Sequence, residues 1–291
     1  MTTPTLLTPR ITSVLDLRFH YQPDLHQTTL KIAAQTPPLR VVRGFHLADG
    51  AALAHLHNIS GGVLGGDAFT LNVSVGANAG AQLTTPGATR IYQHRPGHPD
   101  ASQQMRVDVD PGGVLEYLPD PLIPFAGCRY RQSTHIQLAE DAGLFWWETL
   151  APGREAHGER FGYERLEMAL EIDALGKPIV LERYQLCPQE NPLSSLARLG
   201  VYLYHTTFYV CRVGFPEATW LALEAELTII ANEYSEAGQS LWGVSTLTSD
   251  GLVIRGLSSS HRAIPAQLTH FWRVAKRKLY DREIIPPRKM Y

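Results

Sequence analysis

From Phe69 to Val75 the chain alternates strictly: Phe69, Leu71, Val73 and Val75 are apolar, and Thr70, Asn72 and Ser74 between them are polar. A two-residue period puts one set on each face of an extended chain, so the segment predicts a half-buried β-strand. The same period returns at Met105, Val107 and Val109, at Thr134, Ile136 and Leu138, and at Leu166, Met168, Leu170 and Ile172. Each set is followed by turn residues and a second apolar run. Pro111-Gly112-Gly113 precedes 114–118, Asp141 to Gly143 precedes 144–150, and Leu175-Gly176-Lys177-Pro178 precedes 179–186. The expectation is a series of consecutive antiparallel strands. Strands at this density fit a sandwich, a barrel or a β-solenoid, and the pattern alone does not choose among them.

Late in the chain the period changes to that of a helix. Trp220, Leu223, Leu227, Ile230 and Tyr234 share one stripe behind Pro216, a residue suited to a helix start. Ile264, Leu268, Phe271, Ala275 and Leu279 form a second stripe. Ser258 to Ser260 are its candidate caps, and Lys276, Arg277 and Lys278 stand where they complement the C-terminal dipole. The predicted fold class is therefore mainly β, with many short antiparallel or mixed strands in a solenoid-like or sandwich body and two α-helices in the C-terminal half.

The loops carry the most distinctive residues. Gly61, Gly62, Gly65 and Gly66 permit positive φ and close backbone approach, which delivers Asp67 from a tight loop at the mouth of the first strand. Thr85-Pro86-Gly87 has turn chemistry, with proline presetting φ and glycine tolerating a positive one. Four blocks stand out in order: GGD ending at Asp67, TTPGATRIYQ from Thr84 to Gln93, VLEYLPDPLIPF from Val114 to Phe125, and GREAHGERF from Gly153 to Phe161. On these blocks the chain resembles the UreD family of urease accessory proteins, called UreH in some systems, over most of its length. It departs from the family at Asp120 and Pro121, where an amide and a carboxylate are usual, and at Lys289, where a tryptophan commonly follows the proline-arginine pair.

The resemblance implies a β-rich, solenoid-like protein with few helices. It also implies a role: binding the urease apoprotein and the accessory proteins UreF and UreG, the latter a GTPase, and helping Ni²⁺ reach a dinuclear site bridged by a carbamylated lysine. Nickel would be in transit, with no tightly bound cofactor.

Composition fits this reading without forcing it. No low-complexity run, charge block or fixed repeat divides the 291 residues, so one domain spanning 1–291 is expected. A net charge of -2 leaves no basic footprint for a nucleic-acid backbone. Cys128, Cys187 and Cys211 are odd in number and far apart, as in reduced, buried thiols. No secretory pattern opens the chain and no apolar run has the length of a membrane span, so a cytoplasmic location is expected.

Common enzyme signatures do not occur: the sequence has no HExxH, GxSxG, Walker loop, GxGxxG or paired CxxC. His55 and His57 would share a strand face and could seat a borderline ion such as Ni²⁺, although loop histidines are the simpler account. His94 and His98 are separated by Pro96 and Gly97 and cannot be a helical pair. Asp67, Asp120, Glu148 and Glu159 lie in or beside the recognisable blocks. Glu148, within LFWWETL, is costly to ionise unless it meets a cation, a hydrogen-bond network or water. Carboxylates lining a wet passage meet that need, and exchangeable oxygen ligands suit an ion in transit. Asp67 and Glu159 are the favoured route-lining residues, with structural ion pairs and turns as the alternative.

Thr84, Thr85, Arg90 and Tyr92 divide between a structural turn and a partner surface, the threonines leaning to structure. Arg288 is a further interface candidate. Tyr202, Tyr204, Phe208 and Tyr209 read as core packing, with His205 a satisfied polar neighbour. Two other classes stay open: a β-rich hydrolase or isomerase with an unrecognised His/carboxylate site, and a static module that holds the apoprotein without handling metal.

Overall fold

A computed structural model describes residues 12–287. In chain order its strands are β1 (Thr12–Gln22), β2 (Gln27–Gln35), β3 (Leu39–Arg40), β4 (Gly44–His46), β5 (Ala52–His55), β6 (His57–Asn58), β7 (Ala68–Val75), β8 (Gly80–Thr84), β9 (Thr89–Ile91) and β10 (Ala101–Val109). There follow β11 (Val114–Tyr117), β12 (Leu122–Pro124), β13 (Arg129–Leu138), β14 (Gly143–Leu150), β15 (Arg165–Ala174), β16 (Lys177–Leu186) and β17 (Tyr204–Arg212). The C-terminal part is α1 (Glu217–Tyr234), β18 (Ser240–Thr246), β19 (Gly251–Ser258) and α2 (Ile264–Tyr280). No described helix is long and apolar enough to cross a membrane.

Two sheets hold most of the strands. One has the order β16-β15-β13-β10-β7-β1-β2, and the other β18-β19-β17-β14-β11-β8-β5-β4, with β9 and β12 attached beside β14. The middle of each is parallel: β1, β7, β10, β13 and β15 in the first, and β5, β8, β11 and β14 in the second. Successive strands therefore alternate between sheets, and Ala68, Ser102, Arg131 and Glu167 stack in register one coil above another. This is the solenoid-like member of the expected class, closed at its edges by antiparallel strands.

Of the three expected returns, only the last folds back on itself. β15 and β16 pair antiparallel across Leu175 and Gly176, whose φ values of 50° and 74° give the two left-handed residues a tight hairpin needs. At Pro111-Gly112-Gly113 and Asp141 to Gly143 the chain instead crosses to the opposite sheet, with a single left-handed residue in each turn, Gly112 or Asp141. A period of two is the same in parallel and antiparallel strands, so the pattern located these strands but misassigned their pairing. Thr85-Pro86-Gly87 forms a bend in which Gly87 does not take positive φ.

Both helices form on their expected stripes, burying Trp220, Leu223, Leu227 and Ile230 from α1 and Leu268, Phe271, Ala275 and Leu279 from α2. Ser258 to Ser260 do not cap α2, whose preceding residue is Ala263. The Ser258 hydroxyl donates to the Ser260 carbonyl and accepts the Ser260 N–H, so these serines shape the loop before the helix.

The body has two apolar layers. Leu17, Val73, Val107 and Ile136 meet Leu83, Leu115, Leu144 and Trp146 between the sheets. Phe145, Trp147, Phe208 and Ile254, on the other side of the second sheet, lie beneath Trp220, Leu227, Phe271 and Trp272 of the helices. β14 is apolar at consecutive positions because both of its faces are buried.

Candidate functional site

Glu148 follows the parity of Leu144 and Trp146 on β14, so its side chain points between the sheets. There it lines a cavity of about 110 Å³, room for several water molecules. The residue is half-buried and sits on the wall of this cavity. Gln132 of β13 donates to Glu148 Oε1 at 2.6 Å, and Tyr130 OH donates to Gln132 Oε1 at 3.1 Å. Desolvation pushes the Glu148 carboxyl up to about 7. The Gln132 hydrogen bond and the nearby Trp146 indole pull downward, and the neighbouring charge of Glu182 pushes up again. A carboxyl tuned this way exchanges a proton near neutrality.

Further polar groups share the cavity. Glu182 of β16 accepts from Tyr209 OH and from Arg255, the latter at 3.1 Å. His205 and His57 also line it, and burial lowers the pKa of both, so each imidazole is held toward its neutral, ligating form. Thr85 and Asp120 lie at another part of the wall, where the Asp120 N–H donates to Thr85 Oγ1 at 2.9 Å. A groove of about 910 Å³ on the outside shares Leu150, Tyr184 and His205 with the cavity wall.

The last three recognisable blocks meet in space, and the glycine loop that leads into the first joins them. Val63, just after Gly61-Gly62, bridges to Ile91, with Val63 N–H on Arg90 O and Tyr92 N–H on Val63 O, both at 2.8 Å. A Cβ on Gly62 would strike the Tyr92 ring and the Arg90 carbonyl, which explains the glycine. Tyr92 packs edge-on against Phe125 at 5.0 Å, and the Arg154 guanidinium lies over the other ring at 4.4 Å. Arg154 in turn holds Glu159, whose second partner is the Ala126 N–H at 3.3 Å. These bonds keep the Glu159 carboxyl below the usual carboxylate range, with the Arg154 contact the largest cause.

The four sequence-selected carboxylates are therefore divided. Glu148 and Asp120 line the cavity, whereas Asp67 and Glu159, the two favoured ones, do not. Asp67 is 3% exposed and accepts the Leu64 N–H at 2.9 Å, closing its own glycine loop, while burial raises its pKa. Thr84 and Thr85 are buried, the Thr84 hydroxyl donating to Leu118 O at 2.7 Å, so both serve internal structure. Arg90 is exposed and Tyr92 half-buried. Arg288 lies outside the described residues. His55 and His57 end and begin different short strands, with ring centroids 6.3 Å apart. His94 and His98 sit in the loop before β10, as expected. Cys128 and Cys211 are buried free thiols, while Cys187 is only half-buried.

Gln132 and Glu182 were not selected from the sequence. The signal was present: each occupies an inward parity position, Glu182 between Val180 and Tyr184 on β16 and Gln132 on β13 beside Tyr130 and Thr134, the latter itself polar.

The model of the family described as UreD urease accessory protein matches residues 13–291. A urease accessory protein UreD of Herpetosiphon aurantiacus is 49% identical, over 91% of this chain and 92% of its own length. Proteins of the same description from Halalkalibacterium halodurans and Pseudomonas aeruginosa are 30% and 32% identical, over 91% and 86% of this chain and 93% and 85% of theirs.

Proposed function

This chain belongs to the UreD family of urease accessory proteins, and from that premise we propose that it works as a maturation scaffold in the cytoplasm, docking urease apoprotein, UreF and the GTPase UreG while Ni²⁺ passes through its interior. Its role is accessory; the ureolytic chemistry belongs to urease. The observation that carries the passage is the cavity with Glu148 at its wall, a carboxyl that exchanges its proton near neutral pH. Asp120, Glu182 and His205 supply further oxygen and imidazole donors along the same wall. Such a mixed set binds a borderline cation without enclosing it in a thiolate cage, so the ion can leave as readily as it arrives. The groove that shares His205 and Tyr184 with the cavity wall is taken as one mouth of the passage. Arg90 and Tyr92, braced by Phe125 and Arg154, form the docking edge, with Arg288 a further contact.

The test is reconstitution with urease apoprotein, UreF, UreG, GTP, bicarbonate and nickel. Glu148→Gln and Asp120→Asn should each lower nickel loading of urease several-fold while the complexes still co-purify. Full loading by both variants would overturn the passage and leave a static, apoprotein-holding module. Asp67→Asn and Glu159→Gln should not change loading per assembled complex, since neither side chain lines the cavity.

A further inference from the structure

We propose that the outer face of the seven-stranded sheet carries a binding site for a first-row divalent cation, built from His135, Glu171 and Asp173. His135 of β13 and Glu171 of β15 are direct register partners, and Asp173, two residues further along β15, projects from the same face. One ligand atom from each residue lies within 4.8 Å of the other two. His135 Nε2 is 2.9 Å from Asp173 Oδ2, close to the separation of about 3 Å expected for adjacent ligands bound to one ion at about 2.1 Å. The imidazole satisfies only that oxygen. Asp173 is 9% exposed, and its Oδ1 is buried with no hydrogen-bond partner. A buried carboxylate oxygen in that state needs a cation or a proton.

The cation beside His135 on β10 is already engaged. Arg106 is the register neighbour of His135 on β10, and its guanidinium is engaged by Asp108 at 3.2 Å and Gln137 at 3.1 Å. One imidazole and two carboxylates favour zinc, nickel or cobalt over the hard alkaline-earth ions, and the solvent side of the sheet leaves the remaining coordination positions to water. The site is thus open and exchangeable. It is separate from the cavity, which meets the inward residues Gln132, Met168 and Leu170 of the same two strands.

The experiment is titration of the tag-free full chain with Co²⁺, followed by calorimetry and by the visible d–d absorption of the bound ion, then competition with Ni²⁺ and Zn²⁺. Wild-type protein and Gln104→Ala, an exposed β10 position outside the site, should bind alike. His135→Ala and Glu171→Gln, each confirmed as folded by circular dichroism, should lose this site or bind at least tenfold more weakly. Unchanged affinity and stoichiometry in both variants would overturn the proposal, as would wild-type protein with no cobalt absorption. Urease activation reads the cavity and not this titration, so either idea can fail alone.

Discussion

At the scale of single residues, Glu148 sets the pH behaviour. Its ordinary pKa is 4.5 and its folded value about 7, so between these values the native state holds a proton that the unfolded chain has released. The stability tied to that proton is fully present below pH 4.5 and is lost as pH rises through 7. Relative to Glu148→Gln, the wild-type protein should lose on the order of 3 kcal/mol between pH 4.5 and 8, read from urea unfolding at several pH values. Parallel pH profiles for the two proteins would remove the desolvation account. A second buried charge makes the opposite point. Lys276 appeared on the sequence as a complement to the α2 dipole, yet it is 6% exposed and pairs with Glu116 at 2.9 Å, while Trp272 and Gln82 also donate to that carboxylate. Glu116→Ala leaves the ammonium with the longer Asp49 ion pair at 3.4 Å and the Trp272 ring 5.7 Å away, and should cost about 3 kcal/mol or more in urea unfolding. Replacing both partners by apolar residues of similar volume should cost much less. The lysine was legible as a residue, but its partner was not, because the pairing depends on how α2 lies across β11.

At the scale of elements, alternation located the strands well because inward positions are apolar along almost the whole body. It could not tell an in-sheet return from a crossing between sheets, since the side-chain period does not depend on the direction of the neighbouring strand. Turn chemistry held part of the answer: Leu175-Gly176 supplies two consecutive left-handed residues, and the crossing turns supply one each. The outer antiparallel strands raise a related point about glycine. Gly256 of β19 is the register partner of Trp242 on β18, and a Cβ at Gly256 would lie about 2.5 Å from the indole ring. Trp242 in turn packs against Phe271 of α2 at 5.2 Å. Gly256→Ala should therefore displace the indole from α2 and destabilise by about 1–3 kcal/mol, a strain that thermal unfolding would read. Gly238→Ala gives a contrasting case: open space surrounds that position, and any cost there comes from its φ of 77° alone.

At the scale of the whole molecule, the four sequence blocks were legible as an ordered series, but not as one place. The last three meet, joined by the glycine loop before the first, because stacked coils bring residues a full coil apart into contact, as Ile91 meets Val63 and Phe125. The cavity was hidden for a similar reason: Glu148, Gln132 and Glu182 come from strands in two different sheets. A stack of coils could in principle unfold piecewise, since each coil touches mainly its neighbours. This chain has a countervailing feature, the double-sided strand β14, whose Leu144 and Trp146 belong to the layer between the sheets and whose Phe145 and Trp147 belong to the layer under the helices. The Glu116–Lys276 pair and the bond from Gln82 to Ile285 O at 2.9 Å tie α2 and the following segment to the same sheet. Loss of either layer would strip one face of β14, so we expect residues 12–287 to unfold as one domain. Trp147, Trp220, Trp242 and Trp272 lie in the layer under the helices while Trp146 faces the layer between the sheets, so in a Trp146→Phe background the fluorescence reports the helix side of the ten-stranded sheet. Pulse-labelling hydrogen exchange on the β10 and β13 peptides reports the opposite sheet. The two signals should change at the same urea concentration; a loss of tryptophan signal while β10 and β13 stay protected would divide the chain into two units.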